Sequence, residues 1–154
     1  SMTYHTGRAS GSDGSTAVQY RHIENPWGNI YEWIDGVNFS DNVAYICTDI
    51  SKYTDAVSKD YISTNIKIQS TGYISATGYS STYPWSFCPT STNGSETTYI
   101  PDYANNVILF STLNVLWVGG NWNANLMAGL FCFNASSTSG TTNDSTGARL
   151  LFVP

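Results

Sequence analysis

The side chains able to do covalent or metal chemistry are few in this 154-residue sequence, and they do not cluster. The two histidines, His5 and His22, lie 17 positions apart without partner spacing. A zinc centre needs three or four converging His, Cys or carboxylate ligands. Cys47, Cys88 and Cys132 fall at no motif spacing. Three free thiols are favoured over one disulfide plus one thiol, and they do not fix a compartment. No G-x-S-x-G elbow presents a serine nucleophile. From residue 104 onward the only charges are Asp144 and Arg149, so the last third lacks the carboxylates that calcium requires. The expectation is a chain with no metal, no cofactor and no catalysis.

What the sequence does supply is non-covalent contact chemistry. It holds 20 Ser, 18 Thr and 14 Asn, while charged residues make up 11% and aromatic residues 14%. Disordered chains show the reverse balance. Surfaces of hydroxyls, amides and aromatic rings are those of antibody paratopes, where rigid rings give contact area and Ser and Asn adapt their hydrogen bonds. The net charge of −5 excludes a nucleic-acid partner, which needs basic patches to displace counterions, and disfavours an anionic membrane surface. The longest apolar run, Val107 to Val118, is 12 residues and is interrupted by Ser111, Thr112 and Asn114. It is too short to span a bilayer and reads as buried strand, so no membrane insertion is expected.

The elements that must carry these residues read as short strands and long loops. Residues 1–20 form an irregular Gly/Ser/Thr-rich lead-in, and Ser1 ahead of Met2 has the form of a cloning scar. Trp27-Gly28 reads as a turn, and Asp35-Gly36 as a hairpin turn between apolar flanks. Val43–Cys47 and, more weakly, Tyr61–Ile68 read as strands. The stretch 69–103 reads as loops with short strands. A short helix has room only within Ile23–Ile34, limited by Pro26 and Gly28. Further on, Val107–Phe110 and Val115–Val118 read as core strands, Gly119–Trp122 as a turn, and Gly147–Phe152 as a closing strand. Within Gly129–Asn134, alternation gives Phe131 and Phe133 to the core and exposes Cys132 and Asn134.

Two motifs then stand out. Asn25-Pro26-Trp27-Gly28-Asn29-Ile30-Tyr31-Glu32-Trp33-Ile34-Asp35-Gly36 resembles the "GN-V-WEW" element of formylglycine-generating-enzyme-type domains, a branch of the C-type lectin fold. Gly119-Gly120-Asn121-Trp122, followed after 24 residues by Gly147-Ala148-Arg149-Leu150, resembles that family's "GGSW … GFRL" ending. The resemblance implies an α+β, C-type lectin-like domain over residues 21–154, mostly short antiparallel strands and long loops with little helix. Trp27, Trp33, Trp122 and Arg149 would be its scaffold anchors. The enzymes of that family carry two cysteines, five apart, after the Gly-Gly turn. Ala124 and Gly129 hold those places here, so the thiolate chemistry is not carried over. The calcium-dependent sugar site of true C-type lectins uses Glu-Pro-Asn and Trp-Asn-Asp motifs. Glu24-Asn25-Pro26 has another order, and Thr142 precedes Asn143-Asp144.

The run 119–149 also resembles the variable region of diversity-generating retroelement proteins, phage tail or bacterial surface proteins whose C-type lectin domain ends in a hypervariable ligand face. In that family, randomised Asn-type codons yield many residues but never Lys, Glu, Gln, Met or Trp. Residues 119–148 contain no Lys, Glu or Gln and five Asn; Met127 departs from the pattern. The resemblance implies a solvent-facing ligand surface at Asn121, Asn123, Ala124, Asn125, Leu126, Cys132, Asn134, Ala135, Ser136, Ser137, Asn143 and Asp144. Its partner would be a host-cell surface protein or glycan receptor, met from a phage tail or a bacterial cell surface, with homo-oligomeric display adding avidity. The alternatives are a fixed-specificity adhesin or tail-fibre domain and a residual formylglycine-generating-type oxidase.

Overall fold

A computed structural model of the protein describes residues 19–20, 23–57, 59–68, 70–105 and 113–148. Residues 1–18 of the expected lead-in, the Val107–Phe110 strand, Arg149 and Leu150–Phe152 lie outside the described residues. The strands in chain order are β1 (Gln19–Tyr20), β2 (Ile23–Glu24), β3 (Tyr31–Ser40), β4 (Val43–Ile46), β5 (Ile62–Lys67), β6 (Gly72–Tyr73), β7 (Ala76–Gly78), β8 (Cys88–Ser91), β9 (Tyr103–Asn105), β10 (Asn114–Val118), β11 (Phe133–Ser137) and β12 (Thr146–Gly147). Helix is confined, among the described residues, to two 3-10 turns at Ile50–Lys52 and Asn125–Met127. The fold is therefore mostly β with long loops, and the α-helical part of an α+β class is not found there. The Ile23–Ile34 region is strand and bend, which corrects the expectation of a short helix.

One eight-stranded sheet organises the molecule in the order β5-β4-β3-β10-β11-β9-β6, with β12 pairing β3 off that path; β1-β2 and β7-β8 form two small ribbons. Its central pairs are antiparallel, whereas β9 runs parallel to β11 and β12 parallel to β3. Residues that face one another across strands project to the same side. Phe39, Ala44, Leu116, Phe133 and Ala135 thus form one buried face, completed by Ile66, Ile68, Ile74, Cys88 and Ala104. The Phe39 and Phe133 rings meet edge-on at 5.5 Å. Asn114 is 1% exposed within this apolar side, and its Nδ2 donates to the Ala135 carbonyl at 2.8 Å.

The opposite side of the sheet carries rings and amides. Trp117 pairs with Trp33 across β10 and β3 and with Asn134 across β10 and β11. Tyr31 and Trp33 flank Trp117 at ring separations of 5.7 and 4.8 Å. Trp27 is buried, and Trp33 is half-buried within this layer.

The Asp35-Gly36 signal marks a different device from the hairpin expected. Leu116 pairs with Ile34, and the adjacent Val115 with Asn38, so residues 35–37 bulge away from β10 while Val37 still pairs with Ile46 of β4. Gly36 has φ +78°, and its carbonyl accepts the Cys47 N–H at 2.9 Å. The hairpin turn itself is Asp41-Asn42, between the paired Ser40 and Val43. Both residues have positive φ, 50° and 66°, the geometry that suits a two-residue connection between right-twisted strands. Asn and Asp tolerate that conformation better than most residues, which is why the turn forms without glycine.

The buried amide of Asn114 gives a stability prediction. Asn114→Ala removes the donor to the Ala135 carbonyl and leaves a void beside Phe39, so the loss expected is about 1–3 kcal/mol in urea unfolding, with an unchanged fold by circular dichroism.

Candidate functional site

The surface that follows β10 is built on backbone contacts. Gly119 and Gly120 both have positive φ, 89° and 74°. A Cβ at Gly120 would lie 2.6 Å from the Ala128 Cβ, so the second glycine is required by crowding as well as by conformation. The Gly28 N–H donates to the Gly119 carbonyl at 3.0 Å, and the Trp122 N–H donates to the Asn29 carbonyl at 2.8 Å. The two motifs singled out in the sequence are thus hydrogen-bonded to each other. The far end returns just beyond, to β3: Thr146 and Gly147 pair with Tyr31 and Glu32, and the Tyr31 N–H donates to the Ser145 carbonyl at 2.8 Å.

Between these clamps the chain makes three further fixed points. The Gly119 N–H donates to the Cys132 carbonyl at 3.2 Å. The Phe131 N–H donates to Asp102 Oδ2 at 2.6 Å. Asn143 Oδ1 accepts from the Ser145 N–H at 3.0 Å, the Ser145 hydroxyl at 3.0 Å and the Thr146 hydroxyl at 2.7 Å. Asp102 sits directly under Gly129: a Cβ there would fall 2.2 Å from Asp102 Oδ1. Burial raises the Asp102 carboxyl above the ordinary carboxylate range, and the Phe131 N–H partly opposes that rise.

Of the twelve residues expected to face solvent, Asn123, Asn125, Leu126, Asn143 and Asp144 are exposed, and Asn121, Ser136 and Ser137 are half-buried. The other four are corrected: Ala124, Cys132, Asn134 and Ala135 are buried. The reason is local. β11 begins at Phe133, and Gly129–Cys132 is a turn closed by the Cys132 N–H donating to the Gly129 carbonyl. Strand alternation therefore does not govern residues 131 and 132; Phe131 is 38% exposed and Cys132 3%. Ala135 belongs to the main core, and Ala124 packs with Ala128. Asn134 Oδ1 accepts the Ser136 N–H at 2.9 Å and the Ser136 hydroxyl at 2.7 Å. Burial pushes the Cys132 thiol up to about 12, with the Asp102 charge adding to it. Burial likewise lifts the adjacent Tyr31 hydroxyl to about 12.

The contact chemistry of the exposed side differs from the expected amides and hydroxyls. Trp122 is 53% exposed, Leu126 46% and Leu130 60%. Met127 and Phe131 are exposed as well, and Phe87, from outside the segment, stacks edge-on against Phe131 at 5.6 Å. Trp122, expected as a scaffold anchor, is held through its backbone and presents its ring outward. Leu130, Phe131, Met127 and Phe87 were missed as surface groups. The available signal was two apolar doublets, Leu126-Met127 and Leu130-Phe131, in a stretch otherwise made of small polar residues.

Among the described residues no group of three or more His, Cys, Asp or Glu could hold a metal ion, and no helix is long and apolar enough to cross a membrane. No protein-family model, no curated protein and no solved structure matches this chain.

Two measurements test this arrangement. Alkylation followed by peptide mass spectrometry should leave Cys132 unmodified at pH 8 in the native protein and modify it fully in guanidinium chloride, because the buried neutral thiol has little thiolate. Asp102 supplies a pH test. Its folded pKa is raised above the unfolded value, so the native state binds the proton more tightly, and stability falls as pH rises through the interval between the two. Asp102→Asn keeps an acceptor for Phe131 without the charge. Its unfolding midpoint relative to wild type should therefore climb as pH is raised through and just above the carboxylate range, then level off.

Proposed function

We propose that this protein is a non-catalytic ligand-binding domain of C-type lectin-like architecture, in the formylglycine-generating-enzyme-type branch, whose 119–149 face is diversified by a retroelement. One observation carries the reading. The chain from Gly119 to Gly147 is attached to the rest of the domain mainly by backbone donors and acceptors, at Gly28, Asn29, Tyr31 and Glu32 and through β11 on β10 and β9. Side chains that take no part in the attachment, Trp122, Asn123, Leu126 and Leu130 among them, face solvent. A frame held by main-chain hydrogen bonds keeps its shape when exposed side chains are exchanged.

The exposed anchors give the face its preference. Trp, Leu, Met and Phe surrounded by Asn and Ser have the composition of a protein–protein contact, with apolar anchors inside a polar rim. The partner is accordingly a host-cell surface protein in preference to a glycan. The domain is displayed on a phage tail or a bacterial cell surface, and several copies side by side would convert a weak single contact into stable attachment.

The non-catalytic reading also has a steric argument. A cysteine at position 129 would place its Cβ 2.2 Å from Asp102 Oδ1, and Ala124 is buried beside Ala128. The crowding at position 129 thus supports the reading that the thiol pair of the resembled enzymes is not carried here.

Sequencing sibling loci tests the proposal. Substitutions should concentrate at Asn121, Asn123, Leu126, Ser137 and Asp144. They should spare Gly119, Gly120, Ala124, Gly129, Cys132, Asn134 and Ala135, with position 125 restricted to residues that accept its φ of +50°. Evenly scattered substitutions would overturn diversification and leave a fixed-specificity adhesin.

A further inference from the structure

The ring-and-amide side of the sheet holds a second feature, which shares only Ser139 and Ala148 with the 119–149 segment. Where residues 35–37 bulge away from β10, a cleft of about 410 Å³ opens, within the size range of small-ligand sites. Trp33, Tyr53 and Tyr61 contribute its aromatic lining, Asp35 and Asp55 its charges, and Gly36 its bare backbone; Ser139 and Ala148 reach it from the last loop. Among the described residues, no Lys, Arg or His lines it.

The cleft is held open by contacts that use no ligand. Asn38 Nδ2 donates to the carbonyls of Thr54, at 2.9 Å, and Ala56, at 3.4 Å. The Tyr61 hydroxyl donates to the Thr54 carbonyl and accepts the Thr54 N–H, both at 3.1 Å. These bonds fix the 53–56 loop over the bulge. A Cβ at position 36 would lie 2.7 Å from Tyr53 Cζ, so the ring of Tyr53 rests on the glycine backbone itself. Lys52, the nearest cation along the chain to Tyr53, is engaged by Asp49 at 3.3 Å and Asp60 at 3.4 Å. The Asp35 and Asp55 carboxylates are exposed at the cleft.

We infer that this cleft is a binding site for a compact organic cation of the alkylammonium class, seated between the Trp33, Tyr53 and Tyr61 rings and facing the carboxylates of Asp35 and Asp55. The chemistry selects this class over its neighbours. An anion would meet two carboxylates and, among the described residues, no compensating cation. A purely apolar ligand would bury those carboxylates against hydrocarbon at high cost. A neutral polyol gains hydrogen bonds but nothing from the charge, whereas an alkylammonium group is attracted both by ring faces and by the carboxylates. In its quaternary form the charge is spread over carbon-bound hydrogens, so entering an aromatic cleft costs it less hydration than it would cost a metal ion.

Isothermal titration of the full chain tests this, with choline chloride as the probe, its uncharged carbon isostere dimethylbutanol as the control and glucose as the polyol. Choline should saturate at millimolar concentration, with the isostere and glucose at least about tenfold weaker. Asp35→Asn combined with Asp55→Asn, both at exposed positions, should weaken choline about tenfold with an unchanged melting temperature. Trp122→Ala, which alters only the proposed receptor face, should leave choline binding intact. Failure of choline to saturate, equal binding of the isostere, tighter binding of glucose, or choline affinity that survives the double substitution would each overturn the assignment. None of those results bears on the receptor face, whose test is the pattern of substitution among siblings.

Discussion

The structure depends on one junction. Residues 28–32 receive both ends of the last third of the chain: Gly119 and Trp122 arrive through the amides of Gly28 and Asn29, and Ser145 to Gly147 arrive beside Tyr31 and Glu32. A segment of this length made largely of Gly, Ala, Ser, Thr and Asn buries too little apolar area to order itself, and ordering each residue costs about 1–2 kcal/mol of backbone entropy. Fixing both ends at neighbouring places along residues 28–32 removes much of the freedom that would otherwise have to be overcome. The internal points at Asp102, Asn143 and β11 then divide the remainder into short, separately held arcs.

The sheet that provides this junction is unusual in what each side contains. One side is an apolar core of modest side chains, with Phe39 and Phe133 the only large rings among the described residues. The other is a layer in which Tyr31, Trp117 and Trp33 stand in contact beside Asn134. Such a layer suits a surface that must stay shaped while partly wet, since aromatic rings bring contact area with few rotatable bonds. The bulge at Asp35–Val37 interrupts that layer and re-aims the chain at one place.

Much of the frame is legible from residue order, and the misreadings have definite physical causes. Val43–Ile46, Ile62–Lys67 and Asn114–Val118 are strands because alternation or continuous apolar character survives over four or more residues. The Gly119-Gly120 turn follows from its glycines. Asp35-Gly36 misleads because a bulge and a hairpin turn demand the same positive φ, and only the pairing partners across the sheet distinguish them. Asp41-Asn42, the true connection, carries no glycine to announce it. Cys132 and Phe131 exchange places because alternation was counted from Gly129, while pairing starts at Phe133; a shift of this kind reverses every assignment upstream of the strand. The exposed Trp122 could not have been foreseen from its type, since tryptophan in a turn is usually a packing group, and here the main chain does the anchoring.

All three cysteines are unpaired and buried, each within a different neighbourhood. No covalent cross-link therefore ties the loop to the sheet, and the architecture owes nothing to the oxidation state of its surroundings. A polypeptide organised this way reaches its final topology in a reducing interior without a disulfide isomerase. It also keeps that topology when carried into an oxidising medium, where an exposed thiol would couple to foreign partners. Substitutions can accumulate on its outer loops with no bridge to be mispaired during folding.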